Sequence, residues 1–268
     1  TRFSVPPHGM HLVWIKKELI TGHVRITVLF INNSFNFAGT DGRTRLFRLL
    51  SILDKIMITN EQIEEFLKQA HRVGDAGLTV CSSGNLSWRV GYEVLVSGTG
   101  SWVPSLTKDK VAVCRLENGE VLNGVKPSME SVFHLGVLRE RPDVNVVLHF
   151  QSPYATVVSC MENTPKDFNV TAEVPCHVGA EIPVIPYFRP GSKELAEAVI
   201  AAMKSHNSVL LQKHGQVVCG KDFDQAFERA MFFEMACRII VLSGGKYKTL
   251  TAEEIDDLDT YILGKKTK

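Results

Sequence analysis

Five short stretches of this 268-residue chain hold more glycine, hydroxyl, carboxylate and imidazole groups than ordinary turns need: 81–87, 97–100, 126–130, 149–151 and 213–215. His149 and Gln151 stand two apart on a predicted strand, so their side chains share a face, as metal ligands from one strand must. His214 follows the apolar run 209–212 and can close a set with them. Ser128 and Glu130 open a predicted helix, where free N–H groups and the helix dipole favour phosphate or carboxylate. In the first two stretches, Gly84 and Gly100 let backbone approach an anion, and Asn85, Ser97 and Thr99 add side-chain donors. Each feature has an ordinary counterpart: a plain turn, a helix cap, or a histidine hydrogen-bonded in a core. His134 reads as a core or face residue, and His71, His177 and His206 show no obvious partner.

The elements that must carry these residues alternate from about residue 57. Thr59 and Gln62 form a capping box ahead of Ile63, Phe66, Leu67 and Ala70 at helical spacing. The periodicity predicts helices over 59–74, 128–140, 152–160, 192–205, 222–243 and 251–262. It predicts strands near 92–97, 111–115, 144–150, 182–185, 208–212 and 216–219. Ser128 and Ser192 are the expected caps of their helices. The pattern is that of one α/β domain over 57–268. Residues 1–56 show no clear amphipathic period before about residue 44, and Met57 stands just before the first strong cap. We expect the domain to begin near Met57, with 1–56 an unrelated extension from upstream sequence; a basic targeting or assembly arm is the alternative.

Composition narrows the class. The chain is 44% apolar and 22% charged with a net charge of +1, which excludes disordered and polyelectrolyte chains. Eight basic and three acidic residues fall in 1–56, so the remainder is mildly acidic and carries no basic stripe for nucleic acid. Six scattered cysteines without a Cys-x-x-Cys pair suit reduced thiols, hence a cytoplasmic setting. The most apolar N-terminal stretch, 24–35, is interrupted by Arg25, Asn32 and Asn33, so no membrane span or secretory signal is expected.

In order along the chain, the motifs resemble the class II aldolase/adducin family, most nearly its L-fuculose-phosphate aldolase branch. The resemblance spans about residues 59–264. It rests on Gly84-Asn85-Leu86-Ser87, Thr99-Gly100, Pro127-Ser128 with Glu130, Arg141-Pro142-Asp143-Val144 leading to His149, Ser152-Pro153-Tyr154-Ala155-Thr156, the segment 182–187, and His214-Gly215. It implies a single-domain three-layer α/β/α sandwich with a central, mainly antiparallel sheet. It also implies a divalent zinc on His149 and His214, with Glu130 as acid/base and as a ligand before substrate arrives. Gly84, Asn85, Thr99, Gly100 and Ser128 would bind the substrate phosphate. The implied reaction is retro-aldol cleavage of a ketose 1-phosphate, such as L-fuculose 1-phosphate, to dihydroxyacetone phosphate and a short aldehyde. The implied assembly is a cyclic homotetramer in which Tyr261 reaches a neighbour's site; a helix-packing tyrosine is the alternative.

Three positions depart from the family pattern. Gln151 stands where a second histidine is usual, a poorer zinc donor that turns the site toward a harder ion such as manganese or magnesium. Met129 replaces a phosphate-binding serine and cannot donate a hydrogen bond. The usual tyrosine ahead of Ile182 falls on Ala172, beside Glu173, which is either a substitute acid or a surface carboxylate. Epimerisation or dehydration of a sugar phosphate, and a non-catalytic adducin-like binding module, are the alternatives to aldol cleavage. Persistence of Asn85, Ser128, Glu130, His149 and His214 favours an enzyme.

Overall fold

The computed structural model describes residues 13–20, 23–30 and 58–261. The chain divides into two compact units, Thr1–Asp54 and Lys55–Lys268. In the first, β1 (Val13–Ile20) and β2 (His23–Phe30) pair antiparallel, with Val13 opposite Phe30 and Ile20 opposite His23. The sequence reading assigns no element here because it finds no helical period. The signal present is a period of two: Val24, Ile26, Val28 and Phe30 alternate along β2.

The second unit opens with α1 (Asn60–Asp75), whose Thr59–Gln62 capping box has both of its bonds and whose inner face buries Phe66, Ala70 and Val73. Seven strands follow: β3 (Asn85–Val90), β4 (Glu93–Ser97), β5 (Val111–Arg115), β6 (Val146–Phe150), β7 (Val184–Ile185), β8 (Ser208–Leu211) and β9 (Gly215–Gly220). They lie in the order β5-β4-β3-β6-β9-β8-β7, and every neighbouring pair is antiparallel except β7 with β8. The remaining helices are α2 (Ser131–Glu140), α3 (Pro153–Ser159), α4 (Lys193–Met203), α5 (Phe223–Leu242) and α6 (Ala252–Tyr261).

Strand alternation divides the core between two faces. Val147 and Val217 pack with Phe133 and Leu138 of α2 and Leu195, Val199 and Met203 of α4. Val146, Leu148 and Phe150 pack with Phe66 and Val73 of α1 and Phe223 and Ala230 of α5. The result is an α/β/α sandwich. Burial of each such side chain contributes about 1.5–3 kcal/mol, which is why the central strand β6 is apolar on both faces apart from His149. Among the described residues, no helix is long and apolar enough to cross a membrane.

Two expectations change. The stretch 81–87 is not one loop: Asn85, Leu86 and Ser87 begin β3, a strand that the glycine and serine residues before it mask in the sequence. Helix α2 starts at Ser131, with Glu130 and not Ser128 at its N-cap position and no side-chain cap. Ser128 instead folds a turn ahead of the helix, its C=O accepting from Ser131 N–H at 3.0 Å and its hydroxyl from Glu130 N–H at 3.3 Å. Ser192 caps α4 as expected, accepting from Leu195 N–H.

Candidate active site

Antiparallel pairing sets Asn85 of β3 directly opposite His149 of β6, and β9 lies on the other side of β6. Two glycines permit this closeness. A Cβ on Gly84, whose φ is +82°, would lie 2.9 Å from the His149 carbonyl oxygen, and one on Gly215 would lie 2.2 Å from that of Phe150. Gly215 thereby lets the tight β8–β9 turn deliver His214 beside the end of β6. Lys213 takes the strain of that turn at φ +55°.

Glu130, His149 and His214 bring their donor atoms within 4.8 Å of one another. His149 Nε2 lies 3.3 Å from Glu130 Oε2 and 3.2 Å from His214 Nε2, and His214 Nε2 is 3.5 Å from Glu130 Oε1. His149 is fully buried and Glu130 is 6% exposed. The Nδ1–H of His149 donates to the Gln216 carbonyl at 2.8 Å, which orients Nε2 toward the group. Burial, followed by the neighbouring His149, pulls the His214 imidazole down to about 4 against a smaller opposing pull from Glu130. His214 is therefore neutral, the form that ligates metal.

The donor set suits a divalent cation. Glu130 Oε1, Gln151 Oε1 and His214 Nδ1 are buried without a hydrogen-bond partner among the described residues. Gln151 Nε2 sits 3.0 Å from His149 Nε2, and rotating the amide would put the unpartnered Oε1 there as an oxygen donor. Two imidazoles, a carboxylate and a neutral oxygen form a mixed N/O shell that does not by itself select one ion.

Above the group opens a cavity of about 350 Å³ whose lining includes Gly84, Asn85, Thr99, Gly100, Ser128, Glu130, Gln151 and His214. The sequence-predicted residues other than Tyr261 thus converge, with His149 beneath them. The Thr99 N–H is committed to the Lys126 carbonyl and the Ser128 N–H to that of Ser97, so these residues offer hydroxyls to a ligand. Met129, 62% exposed, also lines the cavity. Glu173 does not; it stands at the start of a single π-helical turn, Val174–Val178. Tyr261 is the last residue of α6, and its side chain lies outside the described residues.

Further polar groups that no local motif announces lie behind the site. His134, fully buried, joins the Ser87 hydroxyl at 2.8 Å on one ring nitrogen and Asn85 Oδ1 on the other, while Asn85 Nδ2 donates to Glu130 Oε2 at 2.9 Å. The available signal was spacing: His134 lies one helical turn from Glu130, and Ser87 shares a strand face with Asn85. Gln216 Nε2 donates to Ser152 Oγ, which donates to Glu234, and Glu234 also accepts the N–H groups of Tyr154 and Ala155 at the start of α3. His71, His177 and His206, which show no obvious partner in the sequence, prove to be partnered as well: His71 with the Leu106 carbonyl, His177 with Glu228 and His206 with the Ala202 carbonyl.

An α/β/α sandwich here places a carboxylate–imidazole group that could hold a metal ion under a glycine-lined cavity, and the chain belongs to the family described as Class II Aldolase and Adducin N-terminal domain, which matches residues 64–241. It is 35% identical over 189 residues to a 3-oxo-tetronate 4-phosphate decarboxylase of Haemophilus influenzae, covering 69% of this chain and 90% of that protein. It is 32% identical to an L-fuculose phosphate aldolase of Methanococcus maripaludis, covering 66% and 94%. The structure of Klebsiella pneumoniae YgbL, described only provisionally as an aldolase, epimerase or decarboxylase, superposes with a TM-score of 0.69 at 31% identity over 75% of this chain and all of that one. The relatives add decarboxylation, a reaction that the sequence reading does not consider beside aldol cleavage.

Proposed function

We propose that the protein is a metal-dependent lyase that breaks a carbon–carbon bond in a phosphorylated 2-hydroxy-3-oxo substrate, decarboxylating an acid of the 3-oxo-tetronate 4-phosphate type. The carrying observation is the Glu130–His149–His214 group at the base of the glycine-lined cavity. The substrates named for the two relatives share one unit: phosphate, CH2, carbonyl, then a hydroxyl-bearing carbon. That carbon bears a carboxylate in the decarboxylase substrate and a second carbinol carbon in the aldolase substrate. Breaking the bond to either substituent leaves an electron pair next to the carbonyl, and protonation then yields dihydroxyacetone phosphate.

A divalent cation held by His149, His214 and, before substrate arrives, Glu130 would supply Lewis-acid polarisation of that carbonyl; zinc or manganese fits the shell. Gly84, Gly100, Asn85 and the hydroxyls of Thr99 and Ser128 hold the phosphate, which fixes the three-carbon unit relative to Glu130. Glu130 exchanges the proton at the carbon whose bond has broken. Decarboxylation needs no base to remove a hydroxyl proton, in keeping with a cavity whose described lining carries one carboxylate. Retro-aldol cleavage of a ketose 1-phosphate is the second reading, favoured by the Methanococcus relative. We carry over a homotetramer with Tyr261 at a neighbour's site, and a domain of 57–268 whose folding survives deletion of 1–56. The test supplies 3-oxo-tetronate 4-phosphate and L-fuculose 1-phosphate separately to metal-loaded protein. Carbon dioxide with dihydroxyacetone phosphate from the first supports decarboxylation, aldehyde from the second supports retro-aldol cleavage, and inertness to both refutes the lyase reading.

A further inference from the structure

Behind the cavity, four side chains form one buried hydrogen-bond chain whose direction is determined by its last member. A carboxylate oxygen only accepts, so Asn85 must turn its NH2 toward Glu130 Oε2, at 2.9 Å. Its Oδ1 then faces His134 Nε2, which must carry the proton. The other ring nitrogen, Nδ1, is left as a lone pair, and the Ser87 hydroxyl, 2.8 Å away, donates to it. All four residues are buried. Burial, with a smaller push from His149, pulls the His134 imidazole down to about 3, so the ring keeps one proton and one lone pair at neutral pH.

We infer that His134, oriented by Ser87, is a positioning residue that locks the Asn85 carboxamide with its donor end toward Glu130 and the cavity. Asn85 lines the cavity, so the same lock decides what an anion meets there: an N–H or a carbonyl oxygen. Without it, Glu130 alone holds the amide in that sense, and the turned form is populated more readily because the two ends are nearly equal in shape. The turned amide would set an oxygen against the Glu130 carboxylate and against any phosphate in the cavity. Only the anion-binding arm of the test rests on the proposed phosphate site.

The test has two arms. In 15N-histidine-labelled wild-type protein, NMR reads the His134 tautomer directly. The lock requires the Nε2–H form at neutral pH; an Nδ1–H form, or a doubly protonated ring, overturns it whatever the enzyme's activity. The second arm measures binding of inorganic phosphate to His134→Gln, whose amide can donate to Asn85 and accept from Ser87, and to His134→Phe, which keeps a flat ring and can do neither. Calorimetry should show His134→Phe weakened on the order of tenfold or more, with His134→Gln within about threefold of wild type. Equal affinities in all three proteins, or equal losses in both variants, overturn the lock. Ser87→Ala gives a third reading should His134→Phe not fold: Asn85 Oδ1 still fixes the Nε2–H tautomer, but the ring loses its Nδ1 partner, so phosphate binding should weaken, and an affinity equal to wild type would remove Ser87 from the lock. If wild-type protein binds no phosphate, the phosphate site fails, while the tautomer still decides the lock.

Discussion

Replacing Glu130 by Gln keeps the shape of the side chain and removes its charge and one acceptor. The wild-type Oε2 accepts from Asn85 Nδ2 at 2.9 Å, so the new amide must place its single oxygen there, since NH2 against NH2 would oppose donor to donor. Its nitrogen then faces His214 Nε2, which burial keeps neutral and able to accept. The fold is retained, with a stability change of about 1–2 kcal/mol. Turnover is not retained. Among the described residues lining the cavity, Glu130 is the one carboxylate, and an imidazole pulled down to about 4 is a poor proton carrier at neutral pH. With no substitute, the loss falls in the upper part of the general acid–base range, roughly 10³-fold, or about 4 kcal/mol. Lost metal would mimic lost proton transfer, so kcat is measured at saturating metal with bound metal quantified in the same sample. A metal-loaded Glu130→Gln protein with kcat within about fivefold of wild type would refute the assigned role.

Gln151→His should tighten zinc binding about tenfold or more by replacing an amide with an imidazole beside His149; a competition titration showing no gain would mean that this side chain does not face the ion. Ser128→Ala should raise KM for a phosphorylated substrate by about tenfold and leave an unphosphorylated analogue unaffected, and equal effects on both would contradict a phosphate contact. Metal-free protein should lose stability below about pH 6.5. His134 and His214 titrate in the folded chain at about 3 and about 4, below the unfolded value of 6.5, so their contribution is complete above that value and fades as pH falls. Each ring contributes roughly 1.4 kcal/mol per pH unit in that window. Urea unfolding at pH 7 and pH 5 should therefore show His134→Gln losing roughly 2 kcal/mol less than wild type. Parallel losses would show that His134 is not held neutral.

Much of the site was legible because the fold converts short-range spacing into position. Gln151 was expected on the strand of His149 but follows the end of β6, and still comes within 3.0 Å of His149 Nε2, while His214-Gly215 marks a hairpin that only glycine can close at 2.2 Å from the Phe150 carbonyl. What escaped was cross-strand and cross-layer. Asn85 opposes His149 through pairing between β3 and β6, which no local pattern announces, and glycine and serine residues disguised the start of β3. His134 reads as a core or face residue because its two polar contacts come from a strand 47 and 49 residues away. The start of α2 shifted by three residues because Ser128 satisfies the Glu130 N–H in a turn before the helix begins. The choice between decarboxylation and aldol cleavage was hidden for a chemical reason: both reactions use the same three-carbon phosphate unit and differ only in the group that leaves.

The central claim is that Glu130, His149 and His214 hold a divalent ion. Elemental mass spectrometry of protein purified without chelator, alongside a His149→Ala variant, tests it most directly. The account predicts about one divalent ion per wild-type chain and almost none in the variant. Wild-type protein that stays metal-free after zinc or manganese is added and the excess removed would contradict it, and would point to the adducin-like binding module.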